Sequence, residues 1–449
     1  MAAEYRKKSL PQHLDAVTFL TVFLVCLVGI ESRLVVGPLG AAGSPAKLVA
    51  CVGLCWWAFY HVQRTQPLGW RSQPIRISLL LLFLAFMASY VVAMSRPIDA
   101  AEVSTANIGL VSLLAWLGIA LLANDGIPTF ARFAAMSGRI VVVATLLALL
   151  GIAQFVLHDP LIHSITIPGL TSNVPLGGLL SRNGFARPSG TALHPIEFGA
   201  VLTTVLPIAI ARARSRLPER ALGSWASVVV LAFGVVVCGS RSALLCAVVG
   251  LFVLALVWPP RTKLVAAGGV VVMMAVVALS IPGMTGTMFK LFWDAGNDNS
   301  FRSRTDSYAI VQEFFLRSPW LGRGFGTFLP SYRILDNQFL LLLMDVGVLG
   351  LLAFLGVLGA AVLCGRAARL HAPDRFTREH GQAYAAATVS AGVGMLTYDG
   401  LSFPMGSGML FLVVGMSGAL WRLARTPDAP PPRHSRALEI PLVPVRAHQ

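Results

Sequence analysis

The chain has 449 residues, 56% of them apolar and 12% charged, with a mean hydropathy of +0.73. Soluble chains carry about 25% charged residues, so a soluble multidomain protein is excluded as the default. The net charge of +15 is scattered in short clusters between apolar runs; there is no basic domain, and nucleic acid is not an expected partner.

Apolar runs long enough to cross a bilayer recur from end to end. We read twelve spans, at about 16–30, 46–62, 77–94, 105–123, 139–157, 196–211, 224–238, 241–258, 263–281, 337–364, 383–399 and 403–421. In lipid every backbone polar group must be satisfied within its own segment, so the spans are expected to be helices. The expected fold class is therefore an all-α integral membrane protein of about twelve transmembrane helices. The first run lacks a small-residue cleavage site and is followed at once by further spans, so it reads as a span and not as a signal peptide. The six cysteines (Cys26, Cys51, Cys55, Cys238, Cys246, Cys364) all fall in spans. They show no metal-ligand spacing and read as small apolar residues.

Lys and Arg set the expected orientation. Twelve spans put both termini on one side, and 23 of the 35 basic residues fall there. They form clusters at 6–8, 64–76, 132–139, 212–220, 261–263, 366–378 and 422–446. That side is expected to be the cytoplasm. The domain reading is a polytopic membrane region over 1–425, followed by a disordered Pro/Arg-rich cytoplasmic tail over 426–449. Two long loops face outward, 158–195 and 282–336, the second between the ninth and tenth helices. Long loops on a rigid scaffold are where function concentrates. Within the second, 305–317 has the spacing of an amphipathic helix, its apolar face turned to the membrane surface or to the bundle.

The outward loops concentrate arginine, whose planar donor fork matches phosphate oxygens in pairs. Arg241 stands in Gly239-Ser240-Arg241-Ser242, between two spans, where Ser240 can cap the second. A helix N-terminus beside an arginine is an anion site, while the structural alternative is a hairpin arginine facing lipid headgroups. Arg187 lies in Arg187-Pro188-Ser189-Gly190-Thr191, where proline and glycine restrain the backbone. His194 precedes the sixth span as a helix cap, a hydrogen-bond donor or a proton acceptor. Glu197 is one turn into that span and needs a partner, with Arg187 and Arg241 the expected ones. Asp336-Asn337-Gln338 opens the tenth span, either as a cap or as a carboxylate that orients or deprotonates an acceptor hydroxyl. Asp345 is more than two turns into that span, and its partner is not legible. Tyr398 and Asp399 are further polar positions beside the eleventh span.

The order of these segments resembles the O-antigen ligase / O-antigen polymerase superfamily of bacterial surface glycosyltransferases. It runs Arg187-Pro-Ser-Gly-Thr, Gly-Ser-Arg241-Ser, a long outward loop with Arg304-Thr-Asp-Ser-Tyr308, Pro319-Trp-Leu-Gly-Arg-Gly-Phe-Gly-Thr-Phe328, Asp336-Asn-Gln-Phe-Leu and Gly347-Val-Leu-Gly350. The resemblance covers about 180–360 by motif and the whole chain by topology. It implies a type C-like, metal-independent, inverting glycosyltransferase of the bacterial inner membrane, with its active site on the outer face and no cofactor. The implied donor is an undecaprenyl-diphosphate-linked oligosaccharide, and the acceptor a glycan or lipid hydroxyl. Membrane lipids and a chain-length or export protein are the further implied partners. Arg187, Arg241 and Arg304 would hold the diphosphate. Asp336, His194 and Arg241 would carry the chemistry, supported by Asn337, Glu197 and Tyr308. Ligases of the superfamily usually have histidine where this chain has Asp336. That departure points to an O-antigen or exopolysaccharide polymerase ahead of a ligase acting on lipid A core. A transporter of polysaccharide or lipid and a silent assembly partner are the non-enzymatic alternatives. The lack of half-to-half similarity and the outward gathering of polar residues weigh against the transporter.

Overall fold

A computed structural model describes residues 15–63, 73–162, 165–174, 178–182, 184–216, 218–280 and 311–425. Thirteen helices of eight or more residues lie in the described residues. They are α1 (Ala16–Gly29), α2 (Pro45–Val62), α3 (Pro74–Met94), α4 (Ala100–Gly126), α5 (Phe130–Leu157), α6 (Pro195–Ser215), α7 (Pro218–Val237), α8 (Arg241–Ala255), α9 (Pro260–Ser280), α10 (Gln338–Asp345), α11 (Gly347–His371), α12 (Arg375–Gly394) and α13 (Pro404–Arg425). Six of them begin at a proline, whose fixed φ and missing N–H suit a first helical position. Others begin behind a side-chain cap: Asp15 accepts from Thr18 N at 2.9 Å, Thr129 from Arg132 N at 3.3 Å and Asp374 from Thr377 N at 2.8 Å.

Among the described residues, seven helices (α3, α4, α5, α6, α9, α11 and α13) are long and apolar enough to cross a membrane. An eighth arises if the segment Gly37–Gly43, bent by 73° from α2, is counted with it, and α1, α8 and Leu222–Val237 of α7 are shorter apolar helices. The protein is thus an all-α, multi-pass membrane protein. α6 and α13 form its middle, with 83% and 89% of their apolar stretches buried, whereas α9 lies at the rim with 6%.

Where the sequence suggests one tenth span, the structure has two helices. α10 ends at Asp345, and α11 starts at Gly347 with φ +64. Gly347 faces Gly322 (φ +68): a Cβ on Gly347 would lie 2.7 Å from Gly322 N. Side chains are excluded where these two backbones meet, so the break is built by packing and not by a helix-breaking proline.

Among the described residues two small sheets join the connections. β1 (Leu34–Val36) pairs antiparallel with β2 (Leu170–Ser172), Leu34 opposite Ser172. β3 (Leu180–Arg182) and β4 (Phe185–Arg187) form a hairpin. The helix over 311–317 lays its apolar face on the bundle: Val311 and Phe314 pack with Phe328, Leu335 and Met344. The first half of the amphipathic segment read at 305–317 lies outside the described residues. At one end of the bundle, ion pairs join helices distant in sequence. Arg76 meets Asp125 at 2.8 Å, and Arg214 meets Glu379 at 3.1 Å.

Candidate functional site

At the opposite end, β4 delivers Arg187 onto the turn between α7 and α8. Its Nε donates to Cys238 O at 3.2 Å, and its Cγ lies 3.5 Å from where a Cβ on Gly239 would stand. Gly239 takes φ +59, and Ser240 caps α8 by accepting from Ala243 N at 3.4 Å. Arg241 is the first residue of α8. Two arginines distant in sequence therefore converge on one helix N-terminus, an arrangement suited to an anion with several oxygens.

His194 caps α6: its Nδ1 accepts from Ile196 N at 3.1 Å. Burial, and then the Arg187 charge, hold its pKa down to about 4. The ring is neutral at ordinary pH, so its proton sits on Nε2, which is left as a donor.

Glu197 is fully buried and meets neither expected arginine. Its Oε2 accepts from Leu193 N at 2.8 Å, and its Oε1 from Met405 N at 2.6 Å and Gly406 N at 3.1 Å. It thus ties its own helix to the N-terminus of α13, where the helix dipole favours a carboxylate.

The second part of the site is a cavity of about 250 Å³ between the starts of α2, α4 and α10, the 325–335 segment and the 399–402 turn. Its charged wall residues are Lys47, Arg333, Asp345 and Asp399, and its aromatic ones Trp116, Phe325 and Phe328. The cavity end of α10 is fixed by Asn337, whose Oδ1 accepts from Phe339 N at 3.0 Å and Leu340 N at 3.2 Å. Asn337 is therefore the cap, which leaves the neighbouring Asp336 carboxylate out of that role. Burial, and to a smaller extent the Asp336 charge, raise the pKa of Asp399, against a hydrogen bond with Ser402. Gln338 Oε1 accepts from Leu401 N at 2.8 Å, joining α10 to the turn before α13. That turn connects the two parts of the site, since the Phe403 ring lies 6.2 Å from His194 and 5.9 Å from Tyr398.

Asp345 has the partners that its position in the sequence hides. Oδ2 accepts from Gly326 N at 2.9 Å and Oδ1 from Phe328 N at 3.2 Å. Glu102 holds the same glycine-rich strap through the strap's charged and hydroxyl side chains. It pairs with Arg323, with Arg96 at 3.3 Å and with the Tyr332 hydroxyl at 2.7 Å. Two buried carboxylates thereby fix the strap that walls the cavity.

The structure therefore brings Arg187 onto the turn that leads into Arg241 and close enough to His194 for its charge to be felt there, and sets Asp336 and Asn337 at the start of α10. Arg304 and Tyr308 lie outside the described residues. Sequence reasoning missed Lys47 and Glu102. A lone lysine two residues inside an apolar run is the kind of charge that marks a site, and Lys47 was legible on that ground. Glu102 carried no such signal.

These features define a helical membrane protein in which Arg187 meets the turn before a helix that begins at Arg241, with a cavity lined by charged and aromatic residues. The family described as O-Antigen ligase matches residues 226–355 of the chain. That match supports the resemblance to the O-antigen ligase / O-antigen polymerase superfamily and, with it, glycosyl transfer of the ligase or polymerase type. No curated protein matches the chain. One solved structure, of a peptidoglycan synthase complex, contains a chain that is similar at 17% identity over 78% of this chain and 97% of that one. Its TM-score is 0.43, and a likeness of that size carries no argument.

Proposed function

We propose that the protein is a polysaccharide polymerase of the bacterial inner membrane. In this reading it has twelve spans, both termini in the cytoplasm, and the site on the outer face. The donor is a glycan on undecaprenyl diphosphate. The acceptor is a hydroxyl of a growing O-antigen or exopolysaccharide chain, held in place by the cavity. Arg187 and Arg241, joined by Arg304, bind the diphosphate. The acceptor oxygen attacks the anomeric carbon with inversion, the bond from that carbon to the diphosphate oxygen breaks, and the hydroxyl proton passes to the Asp336 carboxylate. The arginines stabilise the charge on the departing diphosphate, work that a metal ion does elsewhere. Nε2–H of His194 donates a hydrogen bond to the substrate, while Asn337, Glu197 and Tyr308 position these groups.

One observation carries the reading: the convergence of Arg187 on the α7–α8 turn that bears Arg241. The choice of polymerase over ligase rests on the superfamily pattern alone, through Asp336 in the place where ligases carry histidine. The test uses purified protein, an undecaprenyl-diphosphate-linked oligosaccharide and EDTA. Wild type should give longer lipid-linked chains, and Arg241→Ala should be slower by roughly a hundredfold, the cost of removing one charge-stabilising donor. Movement of the lipid across vesicles with no new glycosidic bond would overturn the reading.

A further inference from the structure

We propose that the cavity beside α2 selects an acidic sugar, one whose ring carries a carboxylate that the Lys47 ammonium meets. The inference rests on the glycan-transfer reading above and adds the charge class of the glycan.

Lys47 is the third residue of α2, half-buried, and lines both the 250 Å³ cavity and a narrow apolar cleft that adjoins it. Its ammonium donates to Ala41 O at 3.2 Å. An ammonium has three donors, so two remain for whatever fills the cavity. The carboxylates of the same cavity are engaged elsewhere. Asp345 receives the N–H groups of Gly326 and Phe328, and Asp399 is held by Ser402. Among the described residues no carboxylate pairs with Lys47. A cation inside a helix bundle with no carboxylate paired to it is costly and marks a binding position for an anion.

The surroundings favour a sugar carboxylate over the carrier's diphosphate. The wall shared by cavity and cleft beside Lys47 is Trp116, stacked on Phe411 with ring centroids 5.1 Å apart, with Phe325 edge-on to it at 6.1 Å. Such a fixed apolar plate suits the C–H face of a pyranose ring and offers nothing to a diphosphate. A diphosphate finds paired guanidinium groups and a helix N-terminus at Arg187 and Arg241, across the 398–405 turn.

The test measures equilibrium binding to the full chain in lipid nanodiscs. The probes are a glucuronate-ended disaccharide, its neutral carboxyl-reduced counterpart, and undecaprenyl diphosphate without a glycan. A hydrogen-bonded charge pair predicts that wild type binds the acidic disaccharide roughly tenfold or more tighter than the neutral one. Lys47→Met should erase that preference and leave neutral-sugar binding unchanged, and Lys47→Arg should retain it. Equal binding of the two sugars by wild type, or a preference that survives in Lys47→Met, overturns the inference. So does a loss in Lys47→Met confined to undecaprenyl diphosphate, which would assign Lys47 to the carrier. Chain extension in the separate transfer assay fails or succeeds independently, so a wrong reading of the activity is told apart from a wrong reading of the cavity.

Discussion

Glu197→Gln separates a structural carboxylate from a chemical one. In the wild type the two oxygens receive three backbone N–H groups, from Leu193, Met405 and Gly406. Glutamine keeps one acceptor oxygen and turns an NH₂ toward a donor, so at least one charge-assisted hydrogen bond is lost. Such bonds contribute about 1.5–3 kcal/mol each, and a buried donor left unsatisfied costs about 1–3 kcal/mol more. The expected loss is therefore about 3–5 kcal/mol, felt where α6 meets α13. Thermal unfolding followed by tryptophan fluorescence in detergent reads it. A shift of about 2–4 °C per kcal/mol holds for chains of roughly 150–250 residues and shrinks with length, so a drop of about 5 °C is expected. Turnover measured well below the transition should stay within a few-fold of wild type. An unchanged midpoint together with abolished turnover would refute the reasoning and place Glu197 among the reacting groups.

Two further outcomes follow from the site. His194 has its folded pKa depressed from 6.5 to about 4, so the unfolded chain binds the extra proton and stability should fall as pH drops from about 6.5 to about 4. The loss is at most roughly 3 kcal/mol, and a series of unfolding midpoints against pH should show it in wild type but not in His194→Asn, whose amide oxygen can keep the cap. Asn337→Ala removes the acceptor for two N–H groups and should cost about 1 kcal/mol. Hydrogen exchange at Phe339 and Leu340 should quicken accordingly, with Asn337→Asp restoring protection.

The helical architecture was legible because lipid leaves an apolar run little else to form, and proline marks several of its starts. The break between α10 and α11 was not. Gly347 sits in Met344-Asp345-Val346-Gly347-Val348, where a lone glycine reads as a tolerated helix residue. Its cause is the approach of Gly322, 25 residues away in sequence. The strands β1 to β4 are three residues each, too short for an alternating pattern to emerge.

At the candidate site the side chains of Arg187 and Arg241 were legible, while Lys47 was missed and the partners of the buried carboxylates were hidden. Sequence shows side chains, so an acid inside a span invites the nearest arginine as partner, and Arg187 and Arg241 stood ready for Glu197. The partners of Glu197 and of Asp345 are backbone N–H groups, which have no signature in the sequence. Met405 lies 208 residues from Glu197, and Gly326 lies 19 from Asp345. That substitution of backbone for arginine has a functional consequence. The lone pairs of Glu197 are spent on backbone N–H groups of α13 and of the residues just before α6, not on a guanidinium. In the proposed reading the diphosphate is bound by Arg187 and Arg241 without Glu197, whose carboxylate holds α13 and the 398–405 turn in register with α6.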